Sequence, residues 1–295
     1  MTVLLAFLAA CGFALGNVLQ QKGDVETAAG NKDPRFLVQI LRRPVWLAGL
    51  ASQVAGWVFQ AFALKNGALM VVQSVTTLSL VIALPLGAKV TSQQISGRVI
   101  AGAIAAVVGI VLFLFVGSPQ GGTSEPDAVA WWSAVVATVA VIGLLGGFAW
   151  HSAGAVKALL LGSAAGVCFA LQAAVTKVFM TDLGDGVVAL LDNWTTYALI
   201  ASAVVGFVLQ QSALRTNVLA PAMASSNAVT LFASVIFGLT VFGESLSHGR
   251  LAPAIIGLAF ALVGVVLLAG AKPPRAVASA PKTSHTPADS PRSGG

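Results

Sequence analysis

Long apolar runs alternate with short polar breaks along this chain. Nine runs stand out, at roughly 2–20, 44–64, 67–88, 97–117, 128–148, 155–177, 188–213, 217–241 and 250–270. Each holds about 20 residues, the length at which a helix crosses the hydrocarbon core of a bilayer. Gly, Pro and charged residues fill the breaks, as loops require. Strands of about 10 residues with alternating polarity, the mark of an outer-membrane barrel, are absent. The pattern predicts an all-α polytopic membrane protein with about nine transmembrane helices.

The pattern also repeats. Residues 48–65 (AGLASQVAGWVFQAFALK) and 198–215 (ALIASAVVGFVLQQSALR) match at nine of 18 positions at an offset of 150. Among the matches are Gly56 with Gly206 and Gln60 with Gln210, and Lys65 faces Arg215. A repeated amide in an apolar helix is informative, because an amide in hydrocarbon needs a partner. The pairs Gly12/Gly16 and Gly162/Gly166 share the offset. Gly102/Gly109 in the fourth run and Gly257/Gly264 in the ninth share a spacing of seven. Small residues at such spacings let helix backbones approach closely, so they are read as helix–helix seams.

Composition narrows the class. The chain is 57% hydrophobic and 9% charged, with mean hydropathy +0.90, more apolar than a soluble domain of this length requires. The net charge of +6 does not point to nucleic acid, because the basic residues sort by membrane side. With nine spans and the N-terminus outside, 13 of the 16 Lys and Arg residues fall on the cytoplasmic side. Only Lys65, Lys177 and Arg250 fall outside. This places the protein in the cell (inner or plasma) membrane with a cytoplasmic C-terminus. The second and seventh spans then run in opposite directions, so the halves are inverted repeats. Cys11 and Cys168 lie in apolar runs and suggest neither a disulfide framework nor a metal site.

The expected organisation is a first transmembrane repeat (1–117), an external linker with a connecting helix (118–152), a second repeat (153–270) and a disordered cytoplasmic tail (271–295). Residues 36–41, beside Arg42 and Arg43, have the spacing of a short interfacial helix, and an ordinary loop fits them equally well. The stretch 117–127 (GSPQGGTSEPD) is expected to be a flexible external link. Trp131, Trp132 and Trp150 flank the fifth run, as interfacial aromatics do.

Candidate chemistry lies in the polar residues inside the spans, since these are costly in a membrane and tend to be functional. The substrate-binding candidates are Gln60, Gln73, Thr76, Thr77, Gln172, Gln210, Gln211, Ser225, Ser226 and Asn227. Each also has a plain structural reading, a hydrogen bond within or between helices worth about 1 kcal/mol. Pro221 is the expected helix break, because proline lacks an N–H and frees a carbonyl. No Asp or Glu lies in the middle of a span. Glu244 reads as a helix-end residue at the membrane face, and Lys22 and Lys177 as side chains snorkelling to the interface. His-Glu-x-x-His, Gly-x-Ser-x-Gly and Walker patterns are absent, so no enzyme is expected. No cofactor and no metal ligand set is expected either.

Several stretches resemble the drug/metabolite transporter (DMT) superfamily. Phe242-Gly243-Glu244-Ser245-Leu246, followed by Gly257 and Gly264-Val265-Val266-Leu267, is similar to the ending of the EamA-type repeat, with a longer Glu-to-Gly interval. Leu161-Gly162-Ser163 with Lys177, and Gln210, Ala213-Leu214, Val218 and Pro221, resemble the NIPA-type magnesium transporter branch. The resemblance implies a membrane secondary transporter working by alternating access between two inverted repeats. The lining of amides and hydroxyls points to a small organic solute or metabolite. The alternatives are a NIPA-like magnesium transporter and a non-transporting membrane scaffold. The expected partners are the solute or magnesium ion and the lipid bilayer, with a homodimer allowed and no nucleic acid.

Overall fold

The computed structural model describes residues 1–28, 43–91, 97–123, 125–186, 193–216, 219–247 and 250–268. The candidate interfacial helix at 36–41 and the tail at 271–295 lie outside them. The elements in order are α1 (Thr2–Ala28), α2 (Pro44–Lys65), α3 (Leu69–Thr76), α4 (Ser79–Thr91) and α5 (Gly97–Gly117). Then come β1 (Gln120–Gly121), α6 (Ala128–Trp150), α7 (Gly154–Asp182), α8 (Trp194–Leu214), α9 (Leu219–Thr240), β2 (Glu244–Ser245) and α10 (Leu251–Leu268). Among the described residues, nine helical segments are long and apolar enough to span a membrane, with α3 and α4 together forming the third. The chain is an all-α, multi-pass membrane protein. Its outer surface fits that role, since Phe62, Ile104, Phe115, Leu144, Phe148 and Val208 are exposed. In water such a surface would drive association; in a bilayer it meets lipid tails.

Burial identifies the centre. In α7, 61% of the best spanning window is buried, against 11% in α6. The helix α7 packs against α2, α6, α8 and α9, while α1 packs against α2, α3 and α4. The most extensive helix contact joins α5 to α10. Buried Leu64, Leu69, Val72, Val75, Ala174, Val178, Phe237 and Phe242 form one apolar cluster that ties α2, α3, α7 and α9 together.

Glycines set the seams as their spacing predicts. A Cβ on Gly12 would lie 2.8 Å from the Cα of Gly56, so α1 and α2 cross backbone to backbone. Polar side chains fasten the same crossing: Ser52 Oγ donates to the Gly12 carbonyl at 3.0 Å, and Gln53 Nε2 to Asn17 Oδ1 at 2.8 Å. In the α5–α10 seam, a Cβ on Gly102 would meet the Gly264 carbonyl at 3.0 Å, and one on Gly257 the Gly109 carbonyl at 2.9 Å. Low residues on one helix meet high residues on the other, so the two run antiparallel. Gly162 and Gly166 lie against Ala222, Ser225 and Ser226 of α9.

One local feature departs from expectation: the third span is interrupted. Pro221 is the third described residue of α9, which continues unbroken to Thr240, and the carbonyl it would free, at position 217, lies outside the described residues. The third span breaks at Thr77–Leu78 because three donors crowd one acceptor. The Gln73 carbonyl takes the Thr77 N–H (3.1 Å), the Thr77 hydroxyl (2.8 Å) and the Thr76 hydroxyl (3.1 Å). The Leu78 N–H turns to the Val75 carbonyl at 3.0 Å, tightening the turn and ending α3.

The segment 117–127 is also not a free link where it is described. Strand β1 pairs antiparallel with β2, Gln120 opposite Ser245 and Gly121 opposite Glu244. The Thr123 N–H donates to the Phe242 carbonyl at 2.8 Å, and the Ser247 N–H to the Gly117 carbonyl at 3.0 Å. Asp127 then caps α6 through the N–H groups of Val129 and Ala130. Glycine is required at Gly122, whose φ is +94° and whose Cβ would meet Glu244 Cγ at 2.7 Å.

Candidate functional site

The N-terminus of α3 presents backbone N–H groups that have no partner within the helix. A carboxylate fills that position. Glu244 Oε2 accepts the Met70 N–H at 2.9 Å, and Oε1 accepts the Leu69 N–H. Lys177 Nζ, near the end of α7, donates to Glu244 Oε1 at 2.8 Å and lies 4.6 Å from the centroid of the Phe242 ring. Both side chains are buried, Lys177 to 6% exposure and Glu244 to 0%. This overturns the reading of Glu244 as a membrane-face residue and of Lys177 as a snorkelling one.

Each partner answers a cost the others create. A buried carboxylate is destabilising unless it is paired and hydrogen-bonded. Here it has a cation, two amide donors and the positive end of the α3 dipole. The fit is tight, because a Cβ on Gly238 would lie 2.6 Å from Glu244 Oε2 and 2.6 Å from Met70 Cγ. One ion pair therefore joins α3, α7 and the segment after α9 at one end of the bundle.

A polar seam runs from that pair to the break in the third span. Gln73, Ser74, Thr76, Thr77 and Ser79 are all buried. Ser74 Oγ donates to the Met70 carbonyl at 2.8 Å, and Thr76 Oγ1 reaches Gln73 Oε1 at 3.2 Å. Leu78 packs against Leu231 of α9, Ile110 of α5 and Ala261 of α10. One turn along α9 from Leu231, fully buried Ser234 has a hydroxyl with no hydrogen-bond partner. An orphaned buried hydroxyl is costly and calls for a functional account.

Of the remaining candidates, Gln60 lies on α2 and the others on α7, α8 and α9. Gln210 Nε2 contacts Met223 Sδ at 3.3 Å, and its buried Oε1 has no partner. Asn227 Nδ2 donates to the Met223 carbonyl at 2.8 Å, and Ser225 Oγ to the Ala222 carbonyl at 3.2 Å. Ser226 is buried, and its carbonyl accepts Thr230 Oγ1 at 2.7 Å. The Gln172 carbonyl accepts Thr176 Oγ1 at 2.7 Å. Gln60, Gln172 and Gln211 are half-buried. So Gln73, Thr76 and Thr77 gather at the break, while Gln210 and Asn227 meet at Met223 and Ser225 bonds within its own helix. Gln60 is not joined to Gln210 by a hydrogen bond.

Reasoning from the sequence missed the ion pair, although a signal was present. Glu244 is the sole acidic residue between Asp192 and Asp289, and Lys177 is one of three basic residues assigned outside. Opposite charges isolated on the same side are candidates to meet.

No family model matches the chain, and no solved structure matches it. An uncharacterized protein of Corynebacterium glutamicum is 30% identical over 250 residues, covering 83% of this chain and 85% of that protein. The two proteins belong to one family. The match covers most of each chain. It does not carry a known activity to this chain.

Proposed function

We propose that this protein is a secondary transporter of the DMT type that moves a small organic solute by alternating access. The observation that carries the reading is the interrupted third span, whose polar break lies about 13 Å along the span from its charged end. Broken helices that aim a half-helix N-terminus and polar backbone into the bundle are the usual means by which carriers build a site within the membrane. Glu244, held by Lys177 and bound to the α3 N-terminus, acts as a latch at the outer end, tying the second repeat to the first on that side.

Two features support the inverted-repeat organisation within this reading. The 150-residue offset relates the second span to the seventh. The α5–α10 seam joins Gly102 to Gly264 and Gly109 to Gly257, so exchanging the helices reproduces the contact, as a two-fold axis between repeats would. The basic-residue asymmetry supports an orientation with the N-terminus outside, the C-terminus in the cytoplasm and the latch on the external face.

Substrate chemistry is tested with purified protein in liposomes. Saturable entry of magnesium, read by an internal dye against protein-free vesicles, would favour the magnesium alternative and its amide and carbonyl ligands. The proposal expects a flat magnesium trace and, in a metabolite panel, a rise in thermal midpoint with a neutral or zwitterionic organic solute. Neither signal from folded protein would support the scaffold reading. Once a solute is identified, Gln60→Ala with Gln210→Ala is expected to reduce its uptake several-fold while the thermal midpoint stays nearly unchanged. Lost stability with intact uptake kinetics would make these amides packing residues.

A further inference from the structure

A second feature lies beside the latch and has no part in the polar seam. Trp131 and Trp132 begin α6, Trp194 begins α8, and Val178 directly follows Lys177 on α7. Together with Glu125, Pro126 and Ala128 they line a recess of about 260 Å³. The Trp131 and Trp194 rings stand 5.3 Å apart at 57°, and Trp132 and Trp194 6.3 Å apart at 34°. The rings are tilted toward one another rather than stacked flat. Indole faces are electron-rich, and rings arranged around a recess attract a cation placed between them.

The surroundings carry the same sign. Glu125 is exposed at the rim. Asp127 is exposed on the next turn of chain, and Asp182 accepts Thr195 Oγ1 at 2.8 Å next to Trp194. The described basic residue nearest in sequence to the recess lining is Lys177, and its charge is already held by Glu244. Trp131 is 4% exposed, so Trp132 (60%) and Trp194 (45%) supply the accessible rings. Accessible aromatic rings beside a carboxylate describe an occupant that is cationic and apolar-coated.

We propose that this recess binds a compact quaternary ammonium of the choline type. The ammonium sits against Trp132 and Trp194, and Glu125 neutralises it. The volume suits a head group of this size rather than a drug-sized ligand. Such a group can arrive as a free solute or as the head of a choline lipid. The proposal is independent of the transport reading, because the lining shares no residue with the latch or the polar seam.

The test uses full-length protein in phosphatidylglycerol liposomes and follows tryptophan fluorescence. Choline chloride is titrated against sodium chloride of equal ionic strength and against 3,3-dimethylbutan-1-ol, the uncharged carbon analogue. Choline is expected to give a saturable change that the analogue does not. Glu125→Gln and Trp194→Leu are each expected to weaken choline binding about three- to fivefold, the usual worth of one exposed ion pair or one partly exposed cation–aromatic contact. Both side chains are at least partly exposed, and an unchanged thermal midpoint verifies folding. Equal binding of the neutral analogue, or unchanged affinity in both variants, would overturn the proposal and leave an ordinary interfacial belt of tryptophans. Replacing half the lipid with phosphatidylcholine separates the sources. Weaker apparent choline affinity there assigns the site to a lipid head group, and unchanged affinity assigns it to a free solute.

Discussion

Glu244→Ala is expected to be the most damaging single substitution in the described fold. It strands the Lys177 ammonium in a buried site and leaves the Leu69 and Met70 N–H groups without their acceptor. Removing one member of a buried pair typically costs about 3–5 kcal/mol, because the survivor remains charged and desolvated. Lys177→Met is expected to cost less, since the carboxylate keeps two amide donors and the α3 helix dipole. The double variant Lys177→Met with Glu244→Gln removes both charges and retains an amide oxygen for α3. It is expected to recover most of the loss. The check is thermal unfolding in detergent, with the order wild type, double variant, Lys177→Met, Glu244→Ala from most to least stable. A double variant worse than either single change would show that the charges are not acting as a pair.

The second large effect falls on the α5–α10 seam. A Cβ on Gly109 would collide with backbone atoms of Gly257 and Ala261, and backbone cannot rotate away as a side chain can. Gly109→Ala must therefore separate two helices along their whole contact, at a cost of about 1–3 kcal/mol or more. Gly143→Ala in α6 is the internal control. Open space surrounds that position, and alanine is the better helix former by up to about 1 kcal/mol. The expected outcome is a clear fall in thermal midpoint for the first and none, or a small rise, for the second. A comparable fall in both would mean that glycine flexibility, not close approach, is what the seam needs.

Much of this architecture was legible from periodicity. Runs of about 20 apolar residues can do little except span a bilayer, and glycines spaced by four or seven mark where such helices touch. What escaped the reading follows from the same physics. Proline is the expected source of a helix break, yet the break at Thr77–Leu78 holds none and comes from hydroxyls competing for the Gln73 carbonyl. That competition depends on rotamers, which a sequence does not display. The partnership of Lys177 with Glu244 was hidden because it joins residues 67 apart through a third element, the N-terminus of α3. Charges at helix ends read as interfacial until the chain is folded over them. The segment 117–127 looked free because strand pairing two residues long leaves no period to detect.

The proposed alternating access requires the end that holds Glu244 to open, with the contacts of Glu244 to Lys177 and α3 as the proposed control. The direct measurement is the distance across that end in liposomes. Asn66→Cys, on the exposed link between α2 and α3, and Gly184→Cys, just after α7, supply spin-label sites in a background with Cys11 and Cys168 replaced by alanine. Pulsed electron spin resonance is expected to resolve two distance populations in the wild-type background, with the shorter one dominant. Lys177→Met with Glu244→Gln is expected to raise the longer one. A single narrow distribution, unmoved by loss of the ion pair in folded protein, would contradict the account and leave a static bundle in which Lys177 and Glu244 serve structure alone.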